Sequence, residues 1–200
     1  LIIQAIVNSL GVVPSAGIGV AEKVCAFIML VPSAFMQSMS AFVAQNAGAG
    51  RFDRAEKALR YGIMVSLGCG MVTSILSFAF GGRLALLFTV DHTAALAAHS
   101  YLKAYAIDCL LTAFLFCFVG FFNGVGITRF VMIQGIIGAF CVRVPASYLL
   151  SKWEPVSLFK IGLATPMSTV LQIFLCFICL NHVKKTYMTG SGAKETTRDL

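Results

Sequence analysis

The chain has 200 residues, of which 58% are hydrophobic and 12% charged, and a net charge of +7. So few charges cannot coat the polar faces that a soluble helical core of this size requires, which excludes an ordinary soluble domain and points to a polytopic membrane protein. The basic residues gather at the ends of long apolar runs, so the positive balance reads as membrane topology and not as affinity for nucleic acid.

Residues 1–13 are apolar but too short to span, start without Met, and lack the basic region and cleavage site of a signal peptide. They read as the outer end of a helix whose beginning is missing, making the chain the C-terminal part of a longer protein. Val13 to Gly17, with Pro14, predicts a tight turn. Residues 24–50 then run for 27 positions without a charge. At ~1.5 Å per residue a helix of that length crosses a hydrocarbon core of ~30 Å, and a span is predicted over residues 18–47, ending in Gly48-Ala49-Gly50. Residues 51–60 place six charges in ten positions and must lie in water.

A third span is predicted over residues 59–80. Residues 81–100 are less apolar and predict an external connection with a short interfacial helix, Asp91 capping the helix that follows. The fourth span is predicted over 101–122, the fifth over 130–150, interrupted only by Arg143, and the sixth over 160–182. From Lys184 the chain turns polar, which predicts a disordered tail. The predicted fold is an all-α polytopic transmembrane helix bundle of about five and a half spans, with 1–183 as the membrane lobe and 184–200 as the tail.

If the 51–60 segment is cytoplasmic, nine Lys and Arg residues fall on that side and four on the other, with Lys23 and Arg143 inside spans. That asymmetry predicts a cytoplasmic C-terminus. All seven cysteines fall inside spans, where Cys behaves as a small apolar residue, and no metal site is expected. Pro32, Pro145 and Pro166 lie in spans and permit kinks, although Pro166 also suits a first helical turn. Gly62, Gly68, Gly70, Gly120, Gly135 and Gly138 read as points of close helix approach.

An ionisable group in a span is costly, so each is a functional candidate. Glu22 and Lys23 lie near one end of their span and serve either as an interfacial pair or as cavity residues. Asp108 is too deep for its short side chain to reach water, and it is the candidate for proton or cation handling. Arg143 reads either as a structural partner of Asp108 or as a pathway residue. Gln37 and Gln134, with Gln4, Asn8, Asn46, Asn123 and Gln172, are candidate polar lining, or simply helix-to-helix hydrogen bonds. No second intramembrane Asp and no Ser–His arrangement accompanies Asp108, which argues against an intramembrane enzyme. A passive channel or a structural membrane subunit stays open on the residues alone.

The segment QNAGAGRFDRAEKAL, with Gln45, Asn46, Gly48 and Arg51, resembles the loop after the second helix of each lobe in multidrug and toxic compound extrusion (MATE) transporters. LALLFTVD, YLKAYAID, NGVGITR and Arg143-Val144-Pro145 follow in that family's order. The resemblance implies one six-helix lobe of a twelve-helix transporter, from the end of helix seven through helix twelve. It implies an antiporter in the cell membrane that exports cationic or amphipathic small molecules in exchange for Na+ or H+, uses no other cofactor, and needs the N-terminal lobe as partner. Lipid-linked oligosaccharide flippases of related architecture are the alternative. Asn123 and Ile127 depart from the usual loop residues, and the carboxylate that some subfamilies carry in helix ten aligns nearer Thr112 than Asp108, which leaves the coupling ion open.

Overall fold

A computed structural model describes residues 11–152 and 158–195, all of them in helices or short connections. The predicted residues Gln4 and Asn8 and the partial first helix lie outside the described residues. The helices are α1 (Val12–Ile28), α2 (Leu30–Gly48), α3 (Phe52–Leu86), α4 (His92–Gly124) and α5 (Thr128–Ile136), then a π-helical segment, Ile137–Arg143. There follow α6 (Val144–Lys152), α7 (Leu158–Gly162) and α8 (Ala164–Glu195). Paired across their kinks, they make five passes long and apolar enough to cross a membrane: Val12–Gly48, Phe52–Leu86, His92–Gly124, Thr128–Ser151 and Leu158–Lys185.

Prolines set where these passes start and bend. Gly11, at φ 115°, leads into α1, and Pro14 falls in the first turn, where its missing N–H breaks no intrahelical bond. The turn predicted at 13–17 is therefore the beginning of a helix. Pro32 cannot donate to the Ile28 carbonyl, and the break at Met29 is the consequence: Met29 N still donates to Cys25 O (2.9 Å) and Ser33 N to Met29 O (3.1 Å). Pro166 repeats the device at Leu163, between α7 and α8, so it both opens the first turn of one helix and breaks the pass. The π-helical segment runs up to the residue pair before Pro145.

One other expectation changes. No separate interfacial helix occupies 81–100: α3 continues to Leu86 and α4 starts at His92, because the alanines at 94, 95, 97 and 98 favour helix and bury against α1. Asp91 does cap α4, its Oδ1 accepting from Thr93 N at 2.8 Å. Past Lys184, α8 keeps a helical backbone to Glu195. Lys184 Nζ donates to Glu56 Oε1 at 2.7 Å, tying α8 to the first turns of α3.

Helix α4 is the axis of the bundle. It packs against α1, α2, α3, α7 and α8, and 67% of its most apolar stretch is buried, against 17% for α3. Ser66, Gly70 and Ser74 give α3 a stripe of small residues toward α4. Ser66 Oγ donates to Ala113 O (3.1 Å) and Ser74 Oγ to Ala106 O (2.7 Å). The opposite face of α3, with Met64, Val65, Met71, Val72, Ile75 and Phe78, is exposed and suits lipid. Gly120 and Gly124 bring α4 against α2. Gly62, Gly70 and Gly138 are likewise close-approach positions, whereas nothing stands near Gly68 or Gly135.

The apolar core divides in two along α4. One cluster, with Val43, Leu59, Phe118, Phe121, Phe122 and Cys176, lies at the end that carries Arg51, Arg129 and Lys184. The other, with Ile18, Val24, Ala85, Ala98 and Leu102, lies toward the opposite end. Polar residues occupy the level between them.

The two connections at the basic end share one cap. After α2, Gly50 takes φ 72°, its N–H bonds Ala47 O (3.0 Å) and Arg51 N–H bonds Asn46 O (2.8 Å). After α4, Gly126 takes φ 85°, its N–H bonds Asn123 O (3.1 Å) and Ile127 N–H bonds Phe122 O (2.9 Å). Both are Schellman ends, which need a residue without a Cβ at the left-handed position. QNAGAGR and NGVGITR therefore act as matching helix stops.

Candidate functional site

The level between the two cores holds a cavity of about 360 Å³. Its walls come from α1 (Glu22, Cys25) and the break after it (Met29), α4 (Tyr101, Tyr105, Asp108, Thr112), the π-helical segment (Ala139, Arg143) and α8 (Thr165, Ser168, Thr169, Gln172). On α4 the residues at 101, 105, 108 and 112 recur at helical spacing, so they form one polar stripe along that helix.

Asp108 is at the centre of the stripe, 2% exposed. Because α4 begins at His92 and not at Tyr101, Asp108 lies near the middle of a 33-residue helix, deeper than the two turns expected. Its Oδ2 accepts from Thr112 Oγ1 at 3.0 Å, one turn along the same helix. Its Oδ1 meets Thr169 Oγ1 at 2.6 Å, across the gap to α8. Thr169 Oγ1 also lies 3.1 Å from Thr165 O. A hydroxyl has one hydrogen and two lone pairs, so this chain has two complete states. With Asp108 ionised, Thr169 donates to the carboxylate. With Asp108 protonated, the acid donates to Thr169, whose hydrogen turns to the Thr165 carbonyl. Neither state leaves a buried donor without an acceptor.

Arg143 belongs to another wall of the same cavity. It is the last residue of the π-helical segment, which is held to α8 by Ser168 Oγ donating to Gly138 O at 2.7 Å. Gln172 Nε2 donates in turn to Ser168 Oγ at 3.2 Å and packs over Gly138, where a Cβ has no room. Asp108 and Arg143 share the cavity but are not an ion pair with each other: the carboxylate's hydrogen-bond partners are Thr112 and Thr169. The pairing considered from the sequence is therefore replaced by threonine hydroxyls, which satisfy the carboxylate without a cation.

Of the remaining candidates, Glu22 lines the cavity and Lys23 does not; α1 turns it to an exposed face. Both lie well inside α1, which starts at Val12, and not one turn from its end. Gln37 is exposed on α2, away from the cavity. Gln134 is buried on α5, 3% exposed, outside the cavity lining. In the loop motif, Asn46 is structural: its Nδ2 donates to Phe42 O at 2.8 Å. Among the described residues no three His, Cys, Asp or Glu side chains come together as a metal site.

Sequence reasoning missed Tyr101, Tyr105, Thr165, Ser168 and Thr169. The signal for the first pair was the i, i+4 spacing of Tyr101 and Tyr105 ahead of Asp108. For the others it was the i, i+4 spacing of Thr165 and Thr169 just past Pro166.

A family model described as MatE matches residues 1–149. The probable multidrug resistance protein YoeA of Bacillus subtilis (strain 168) is 23% identical over 171 residues, which are 86% of this chain and 37% of that protein. A solved structure, described as the inward-facing conformation of a multidrug resistance MATE family transporter of the MOP superfamily, superposes with a TM-score of 0.73 at 16% identity. It covers 87% of this chain and 44% of that one, so the chain spans less than half the length of either relative. With a membrane helix bundle, a polar cavity at its middle, and a family match over three-quarters of its length, the chain belongs to the MatE family of transporters.

Proposed function

We propose that the chain is one lobe of a multidrug exporter that moves organic cations or amphipathic drugs across the cell membrane by alternating access, in exchange for Na+ or H+. Its partner is a second lobe of like architecture, and its basic end, with the C-terminus, faces the cytoplasm. Asp108 is the group that takes up the coupling ion. The carrying observation is the pair of complete hydrogen-bond states around Asp108, Thr169 and Thr165. A buried carboxylate in a span is tolerated only when neutralised or fully hydrogen-bonded, and here it can gain or lose a proton without stranding a neighbour. That arrangement favours H+ of the two ions.

The test is uptake of a fluorescent lipophilic cation into everted vesicles holding the full-length transporter, driven by a proton or a Na+ gradient. The expected result is proton-driven uptake that Asp108→Asn abolishes at equal expression, the amide being unable to accept and release the proton. Unchanged gradient-driven uptake by Asp108→Asn would remove Asp108 from coupling, and uptake indifferent to both gradients would overturn the antiporter reading.

A further inference from the structure

Arg143 faces the Asp108 cavity yet is not consumed by it. Its Nε is buried and has no hydrogen-bond partner among the described residues. Its neighbour in the wall is the Tyr101 hydroxyl, which also meets Thr165. A buried donor on a charged group that lacks an acceptor is costly, and more so where water is scarce. The site is nonetheless built to hold Arg143 there. A π-helical segment fits an extra residue into the helix and re-aims the side chains that follow. This one is clamped through Gly138 by Ser168 and is followed at once by Val144 and Pro145. Asp108, in contrast, has a hydroxyl on each oxygen and leaves lone pairs free toward the cavity.

The cavity thus presents Asp108 and Glu22 on two walls and, on another, a guanidinium that the Tyr101 hydroxyl meets but no carboxylate pairs. At about 360 Å³ it falls in the range of sites that hold drug-sized molecules. A substrate with only a positive charge would engage Asp108 and make no use of Arg143. A carboxylate has the planar pair of oxygens that accepts from a guanidinium fork.

We propose that Arg143 is a subsite for a carboxylate on the transported molecule, so that the cavity selects compounds carrying a carboxylate together with a cationic centre. The carboxylate lies on Arg143 and the cation toward Asp108. This rests on the transport reading above and adds the substrate class to it. Arg143 then acts as a specificity residue: its guanidinium lines the cavity without a carboxylate partner of its own, and the substrate's carboxylate supplies one.

The test uses a xanthene dye with a free carboxylate and the methyl ester of the same dye, which differ in that one negative charge. Binding to the purified full-length transporter is read by fluorescence polarisation, and uptake is read in proteoliposomes. The wild type is expected to bind the acid more tightly than the ester. Arg143→Gln is expected to lower the acid-to-ester affinity ratio by about tenfold, and Arg143→Lys, which keeps the charge without the fork, to lower it less. A wild type that binds the ester as well as the acid overturns the proposal, and this comparison stands even where a variant does not fold. Arg143→Gln shifting both affinities by one factor also overturns it, since a merely structural arginine gives that result. Acid preference without uptake of either dye would uphold the subsite and sink the transport reading; uptake of the ester without acid preference would do the reverse.

Discussion

Replacing Gly120 by alanine adds one methyl group where α4 lies against α2. A Cβ at that position would stand 2.5 Å from the Met36 carbonyl oxygen and 3.0 Å from Met39 Cβ, where ordinary contact begins at 3.4 Å. Helix α2 must then retreat by about 0.9 Å, the shortfall from that contact distance. A backbone oxygen held in a helix cannot swing aside as a side chain can. Gly124, one turn on, is equally close to Ser40 O at 2.7 Å, so the whole Gly-x-x-x-Gly seam moves together. The retreat loosens Val43 from Phe121 and Phe122 in the adjoining core. Overpacking of this kind costs about 1–3 kcal/mol. The gain in helix propensity from glycine to alanine offsets up to about 1 kcal/mol. The net loss of about 0–2 kcal/mol lowers Tm by up to roughly 8 °C for a chain of this size. Gly68→Ala is the control, because a Cβ there meets nothing within 4 Å and should leave Tm unchanged or slightly raised. Thermal unfolding in detergent of the two variants beside the wild type decides it. Equal shifts for Gly120→Ala and Gly68→Ala would refute the packing argument.

Glu56→Gln releases Lys184, and hydrogen exchange should rise in α8 around residues 180–185 with a stability loss of ~1 kcal/mol or less, since the two side chains keep 23% and 28% of their exposure; high salt should give the wild type the same exchange. Asp91 lies outside the spans, and the Thr93 hydroxyl and amide hold its carboxyl below the usual value of 3.8. A lowered pKa stabilises the cap at every pH above 3.8 and loses that stabilisation as the pH falls through the depressed value. Protection of the Thr93 amide should therefore stay constant down to that range and drop below it, and Asp91→Ala should show low protection with no such step.

How much could be read from the sequence depended on how local the cause was. The apolar runs placed every pass, because span length needs only a count of uncharged residues. Asp91 was legible as a cap and Pro32 as a break, since each acts within four residues of itself. The helix ends were read too short at residues 52–58 and 81–86, where hydropathy falls although the helix goes on: it marks where lipid stops, not where hydrogen bonding stops. The same distinction explains α8, which remains helical beyond the apolar run.

The cavity was legible only in part. Asp108, Arg143 and Glu22 stood out because each is an ionisable group in an apolar run, and all three line it. Lys23 shares that signal, and Gln37 and Gln134 are polar residues in the same runs, but none of the three lines the cavity, because the face a side chain takes depends on how its helix is rotated in the bundle. Thr165 and Thr169 carry no charge and gain their meaning only beside Asp108.

The sequence by itself determined that this chain crosses a membrane, how many described passes it makes, where they bend and to which family it belongs, because lipid imposes length and polarity on each helix separately. The tertiary structure decided that Asp108 is satisfied by Thr112 and Thr169 and not by Arg143, and that Arg143 lines the same cavity with its Nε buried and unpartnered. Those contacts join residues as far apart as 108 and 169 through the packing of α4, α8 and the π-helical segment. No property of the isolated segments specifies the rotation and depth at which they meet.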